Sequence, residues 1–525
     1  MKTLHDPTGW VKRCRTIHAI TTFAWSRIPI KTGSFLFPSL LLMLAVLLSA
    51  CTRAPDDTLR FGLASAPVTL DPRFATDATS TRINRLLYAR LVDFDERLMP
   101  VPALADWQRL SPTHYRFRLG DTGREFHDGS RLDARDVKAT YDAILDPANA
   151  SPHRASLMLI EHIEVIDGDT IDFHLARADV LFPAYLTIGI LPAQQMAAGR
   201  AFSRDPLGSG PFRFRAWPDD GHLQLLRLRD GQALTFVRVS DPTVRVLKLL
   251  RGEVDLLQND LSPELVRYLQ DKVGVSVRRA RGSNFTYLGF NLDDPQLADP
   301  AIRRAIAQAV DREAIVHYLM DGSARLASAL LPPDHWAGNA GLPLIDHDPQ
   351  AARTILRGAG FSREHPLRLS YKTSTDPFRV RLATVLQSQL REVGIEVDLR
   401  SYDWGTFYGD IKAGNFQMYS LSWVGIKTPD IFHYAFHRDA VPPNGANRGR
   451  FRDAQTDALI TQAAAAPTLE EQAVLYRHLQ ARLLEQLPYV PLWYEDHVFA
   501  AREGIAGYVL SLDGNYDGLV SVRRE

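Results

Sequence analysis

The chain has 525 residues, with 61 basic and 61 acidic side chains, 45% hydrophobic and 23% charged. That balance excludes a disordered, collagenous or polycationic nucleic-acid-binding chain. The length predicts more than one core, since single cores stop growing at about 250–300 residues, and two cysteines exclude a disulfide framework or a four-cysteine zinc site.

The first 50 residues carry Lys2, Lys12, Arg13, Arg15, Arg27 and Lys31 against Asp6 alone. The apolar run that follows, residues 40–50, has signal-peptide length and falls short of the roughly 20 residues of a membrane-spanning helix. It ends at Leu48-Ser49-Ala50-Cys51, which resembles the lipobox of bacterial lipoproteins. That resemblance implies cleavage before Cys51, acylation of its thiol, and anchoring by two or three chains where one would not hold. The expectation is a lipoprotein signal peptide over residues 1–50, Cys51 as the lipidation site and a polar tether over 51–58. A plain membrane anchor is the alternative, disfavoured by the length of the run. Cys14 would leave with the leader, and so would the leader's excess of basic residues, so the mature chain is mildly acidic.

Leu59-Arg60-Phe61-Gly62-Leu63 opens the folded part. Ile83, Leu86, Leu87 and Leu91 fall on one helical face, and Asp133 with Asp136 reads as a reciprocal cap ahead of Val137, Tyr141, Ile144 and Leu145. Strands are predicted over 115–119, 222–229, 234–239 and 395–400, with a hairpin over 163–175 turning at Gly168-Asp169. Proline in the first helical position marks five helix starts: Asp241-Pro242, Ser262-Pro263, Asp299-Pro300, Asp348-Pro349 and Asp376-Pro377. Hairpins interleaved with strand-helix-strand units predict an α/β protein with mixed sheets.

Signatures of catalysis are largely missing. Gly208-Ser209-Gly210-Pro211 lacks the spacing of a nucleophile elbow and the third glycine of a dinucleotide loop, so it reads as a turn. His127-Asp128-Gly129 likewise reads as a β-turn. His433 and His437 could share a helix face as metal ligands, but no local third ligand accompanies them, so they read as surface or pocket-edge residues. Residues 402–436 hold ten aromatics: Tyr402, Trp404, Phe407, Tyr408, Phe416, Tyr419, Trp423, Phe432, Tyr434 and Phe436. Such a density suits a core or a ligand pocket, and Trp404 and Trp423 are the preferred pocket residues. In a strand here Phe416, Met418, Ser420 and Ser422 would share one face and Tyr419, Leu421 and Trp423 the other. Only Lys412 and Lys427 are basic within the segment, which argues against a nucleic-acid groove.

Motifs along the mature chain then fall in a recognisable order: Leu70-Asp71-Pro72, Pro102-Ala103-Leu104-Ala105, Phe126-His127-Asp128-Gly129-Ser130, Gly208-Ser209-Gly210-Pro211-Phe212, Leu250-Arg251-Gly252-Glu253-Val254-Asp255, Leu288-Gly289-Phe290-Asn291, the arginine- and alanine-rich 302–316, and Leu487-Pro488-Tyr489-Val490-Pro491-Leu492. Together they resemble the extracytoplasmic solute-binding proteins of family 5, the peptide/nickel-type group of ABC importers. The resemblance implies a periplasmic-binding-protein-like α/β fold in its three-domain type II form, with two lobes of mixed sheets and a two-strand hinge near 282–291 and 487–493. Domain I would comprise 59–97, 191–282 and 488–525, inserted domain II 98–190, and the ligand-facing domain III 283–487. It further implies a monomeric binding protein rather than an enzyme, without cofactor, metal or nucleic acid. It would capture a peptide-like small solute for an ABC permease and its ATPase, on the periplasmic side or cell exterior, held to the membrane by lipid. A ligand sensor acting through a partner receptor and a periplasmic hydrolase are the alternatives.

One departure bears on the cargo. Family peptide binders place an acid shortly after the tryptophan of the aromatic segment to pair with the ligand's ammonium, whereas Trp423-Val424-Gly425-Ile426-Lys427 has Ile426 there. An ammonium buried without a partner costs several kcal/mol, so this argues against a free peptide bound in that way. Asp430 reads as structural, because a Pro-Asp here is common in the family. Lys427, Arg448 and Arg450 would suit an anionic or carboxylate-bearing ligand, or a solvated rim. The candidate ligand-binding residues are Trp404, Tyr419, Trp423, Lys427, Asn447 and Arg448.

Overall fold

All five proline-marked sites open helices: Pro242–Arg251, Pro263–Gln270, Pro300–Ala309, Pro349–Gly358 and Pro377–Glu392. In four, the preceding aspartate accepts a first-turn N–H, satisfying a donor the helix itself leaves unpaired. Ser262 makes no such bond. Asp133 and Asp136 form the expected reciprocal cap on Ala134–Leu145. The helix read from Ile83, Leu86 and Leu87 ends at Leu87, with Leu91 buried beyond it. The arginine-rich 302–316 is not one helix: Val310 turns extended, and Asp311 caps a new short turn, Arg312–Ala314.

The computed structural model describes residues 57–362 and 364–525; the signal peptide expected over 1–50, the expected lipidation site Cys51 and most of the tether expected over 51–58 lie outside the described residues. Its largest sheet has eleven strands and is mixed. At one end Leu59–Leu63 runs parallel to Ala233–Arg238 and to Leu256–Gln258. At the other, Leu367–Ser374 runs parallel to Ile395–Tyr402 and to Met418–Trp423. Two long antiparallel strands, Val275–Phe290 and Tyr489–Arg502, join the ends. Their register breaks between Ala280 and Asn284. Gly282 lies in that break, where a Cβ would fall 2.2 Å from the Glu495 carbonyl oxygen. On one side of the break the second long strand adds Phe499 to a core with Phe61 and Phe236. On the other, Leu288 and Trp493 enter a second core, and Tyr287 and Tyr489 a third.

A separate four-stranded antiparallel sheet has the order Ala105–Ser111, His114–Leu119, Thr170–Leu175, Ile160–Val165. Its apolar face, including Tyr115, Phe117, Ile171 and Phe173, packs with Val137, Tyr141 and Ile144 of the capped helix. Among the described residues no helix is long and apolar enough to cross a membrane.

Two of the sequence motifs bind each other. The His127 N–H donates to the Gly208 carbonyl at 2.8 Å, and His127 Nε2 lies 3.0 Å from the Gly210 carbonyl oxygen. The Gly210 N–H donates in turn to Leu87 at 2.9 Å. A Cβ on Gly208 would sit 2.0 Å from the Leu87 carbonyl oxygen, so the glycines serve a backbone crossing over the end of the Ala78–Leu87 helix. Gly208→Ala is expected to cost about 3 kcal/mol, because the clash is with backbone and cannot be relieved by a rotamer change. Gly358→Ala, where a Cβ meets nothing within 4 Å, should keep the parent melting temperature in the same thermal denaturation series.

Candidate functional site

The aromatic segment supplies two cores at once. Strand alternation puts Met418 and Tyr419 into different cores, both fully buried. Phe416 precedes the strand and packs edge-on against Tyr419, with centroids 4.7 Å apart, on the side opposite to that expected. The Tyr419 hydroxyl lies 3.4 Å from that of Tyr287, whose ring stacks on Tyr489 at 3.9 Å; burial drives the Tyr419 pKa upward.

Arg448 enters this cluster. Its guanidinium donates to the hydroxyls of Tyr287 at 3.1 Å and Tyr408 at 3.2 Å, and lies 4.8 Å from the Trp423 ring centroid. Aromatic faces and phenol oxygens surround the charge, and none of the ion pairs among the described residues involves it. Trp404 is exposed and stacks on Tyr408 at 5.4 Å. Asn447 is buried with both amide ends on backbone: Nδ2 donates to the His437 and Phe451 carbonyls and Oδ1 accepts from the Phe451 N–H. It therefore shapes the loop that carries Arg448.

Beside this cluster is a cavity of ≈ 410 Å³, lined by Arg85, Tyr88, Arg90 and Phe94 from one stretch of chain, by His153, Tyr185 and Ile188 from another, and by Gly425 to Thr428, Asp430, Ile431 and Tyr434 from a third. Trp423 reaches its edge through Tyr434, 6.2 Å away and edge-on. Lys427 lines the cavity but pairs with Asp513 at 2.7 Å. Burial alone would raise the Asp513 pKa; Lys427 and Arg85 outweigh it and hold the carboxyl well below the usual range. Arg85 pairs with Asp93 and Asp517, and Arg90 with Asp93, while Arg450 is 3.6 Å from Asp293. The free cationic rim expected from Lys427, Arg448 and Arg450 is thus absent: two of the three are matched by carboxylates and the third is enclosed by aromatic rings.

Asp430 differs from all of these. Its carboxylate accepts from the Thr428 hydroxyl and opens onto the cavity, and no ion pair among the described residues involves it. The residue is exposed, its surface opening into the cavity, and the desolvation of its carboxyl by the surrounding protein raises its pKa, with Asp179 adding to the rise. Asp430 also precedes the Ile431–Phe436 helix, without a side-chain cap bond to it. Ile426, on the same wall, packs partly into the aromatic core. Residues 85–94 and 153–188 were not legible as site residues. Leu87-Tyr88 and Leu91-Val92 match the family's pattern without marking a site, and only the tertiary fold brings these stretches to one cavity.

His433 and His437 stack with centroids 4.6 Å apart. The groupings with metal-ligand spacing found among the described residues lie elsewhere, on the four-stranded sheet.

A mixed α/β frame around an aromatic-lined cavity is the arrangement of a solute-binding protein. The chain belongs to the bacterial extracellular solute-binding proteins, family 5, whose model (the "Middle" region) matches residues 98–440. It is 29% identical over 533 aligned positions to a probable di/tripeptide-binding protein of Pseudomonas aeruginosa, covering 93% of this chain and 98% of the relative. With the dipeptide-binding protein of Escherichia coli it shares 26% identity over 501 positions, covering 87% and 93%. The crystal structure of NikZ from Campylobacter jejuni in complex with Ni(L-His) has the same fold, with a TM-score of 0.76 at 24% identity, covering 90% of this chain and 100% of that one. The periplasmic-binding-protein-like fold and the family resemblance read from the motifs are both borne out.

Proposed function

We propose that the protein is the substrate-binding component of an ABC importer and captures a short peptide by pairing its α-ammonium with Asp430. The observation that carries this reading is the Asp430 carboxylate, unmatched by any cation among the described residues, facing the cavity. An ammonium there would pair a partly desolvated carboxylate that otherwise has no cationic partner. A volume of ≈ 410 Å³ lies within the roughly 300–1,000 Å³ of small-ligand sites, and the curated relatives described above are named for dipeptides and tripeptides.

In this reading Tyr434, Ile426 and Ile431 form the apolar wall, with Trp423 behind Tyr434. Arg448 backs Trp423 directly and Tyr419 does so through Tyr287, Asn447 shapes the adjoining loop, and Trp404 is an outer layer acting through Tyr408. Lys427 works as a latch: its pair with Asp513 joins domain III (283–487) to the last segment of domain I (59–97, 191–282 and 488–525), across a hinge at the register break near Gly282. Ligand contacts made only in the closed form would shift an open–closed equilibrium. The loaded form would then be handed to a permease and its ATPase, with Cys51 lipidated and the protein held at the extracytoplasmic face of the membrane.

A thermal-shift screen with dipeptides, tripeptides and nickel–histidine tests the cargo class. Free-amine peptides should raise the melting temperature; a rise with nickel–histidine and with none of the peptides would overturn the reading.

A further inference from the structure

Away from the cavity, the polar face of the four-stranded sheet carries a row of three histidines. Strand register places His174 opposite His114 on one neighbour and opposite His162 on the other. Two residues along, the same register sets Asp172 between Arg116 and Glu164. Side chains two apart share a face of a strand, so the two rows form one patch, while Tyr115, Phe173 and Ile163 enter the core.

The imidazoles stack, with centroids 4.1 Å apart in both pairs. His174 Nε2 is buried without a hydrogen-bond partner. The Glu164 carboxylate lies 3.8 Å from it, too far for a hydrogen bond. A buried ring nitrogen left in this way calls for an explanation, and a role as a metal ligand is one of the few available. Asp172 is already engaged: it accepts two bonds from Arg116, each 2.8 Å, and lies 2.8 Å from His114 Nε2. A carboxylate fixing one ring nitrogen leaves the other, Nδ1, to serve an ion.

We propose that His162, His174 and Glu164 bind a divalent transition-metal ion of the zinc, nickel and copper group, with His114 or water in the fourth position. One ligand atom from each of the three lies within 4.8 Å of the others, against roughly 3.3 Å between donors on a tetrahedral zinc ion. Side-chain rotation on a fixed sheet closes that difference. Two imidazoles with one carboxylate favour these ions over calcium and magnesium, which take oxygen ligands. None of these residues lines the cavity, so the proposal stands or falls independently of the peptide reading.

The test is calorimetric titration of zinc into the whole chain, carrying no histidine tag and freed of chelator. One zinc ion should bind per chain. His162→Ala, at the exposed end of the row, and the volume-conserving His174→Gln should each weaken binding about 100-fold or more, and Asp172→Asn about 10-fold. Zinc should also raise the melting temperature of the parent and not of the double variant His162→Ala/His174→Gln. Absence of stoichiometric binding by the parent, or equal affinity in the double variant, would overturn the proposal.

Discussion

Asp430→Asn is expected to weaken binding of a free-amine dipeptide on the order of 100-fold while leaving the ligand-free protein at least as stable as its parent. The first effect follows from removing one partner of an enclosed charge pair, which costs about 2–5 kcal/mol in binding. The second follows from the raised pKa of Asp430, caused first by burial and then by Asp179. An acid whose folded pKa lies above its unfolded value destabilises the fold when ionised. That penalty is absent below the unfolded pKa, grows as pH rises, and is complete above the folded pKa. The asparagine variant escapes it, so any stability advantage over the parent should shrink on acidification. Equilibrium denaturation at several pH values, with calorimetry of the dipeptide, reads both effects. A carboxylate with a purely structural role gives the opposite pattern, with stability lost and affinity kept.

Arg303→Met is expected to cost the fold about 3–5 kcal/mol, the largest effect on stability anticipated for a single substitution here. Arg303 is 1% exposed. Its guanidinium donates to the carbonyls of Leu297 at 2.6 Å, Ala298 at 2.7 Å, Leu487 at 2.9 Å and Gln486 at 3.2 Å. It ties the Pro300–Ala309 helix to the turn at Leu487, which has φ 47° and leads into the second long strand. Burial lowers its pKa to about 10, so it stays charged at neutral pH. Methionine keeps much of the volume but leaves those carbonyls unpaired, whereas Arg303→Lys should recover part of the loss. Urea denaturation measures the difference; a loss below about 1 kcal/mol would mean that these bonds do not hold the turn in solution.

What could be read in advance was local. A proline after a capping side chain sets a helix start within a single turn, so all five starts are where the sequence places them. Gly208 and Gly210 were legible as a turn, but their reason, a crossing over Leu87 and Tyr88, depends on a contact more than a hundred residues away. The aromatic density of 402–436 correctly announces buried rings. It does not separate Tyr419 in the core from Tyr434 on the cavity wall. Charge was the least legible property. Lys427 looked free until the fold brought Asp513 to it, and Asp430 looked structural until the fold left it without a cation. The histidine row has the same origin: residues 114, 162 and 174 mean nothing together until antiparallel register aligns them.

Isothermal titration of the protein with a free-amine dipeptide and with its N-acetylated counterpart tests the central claim most directly. If Asp430 holds the α-ammonium, the free dipeptide binds and acetylation, which removes the charge, weakens binding about 100-fold or more. Equal or tighter binding of the acetylated form would contradict this account and return the ligand class to the one that Ile426 alone suggests.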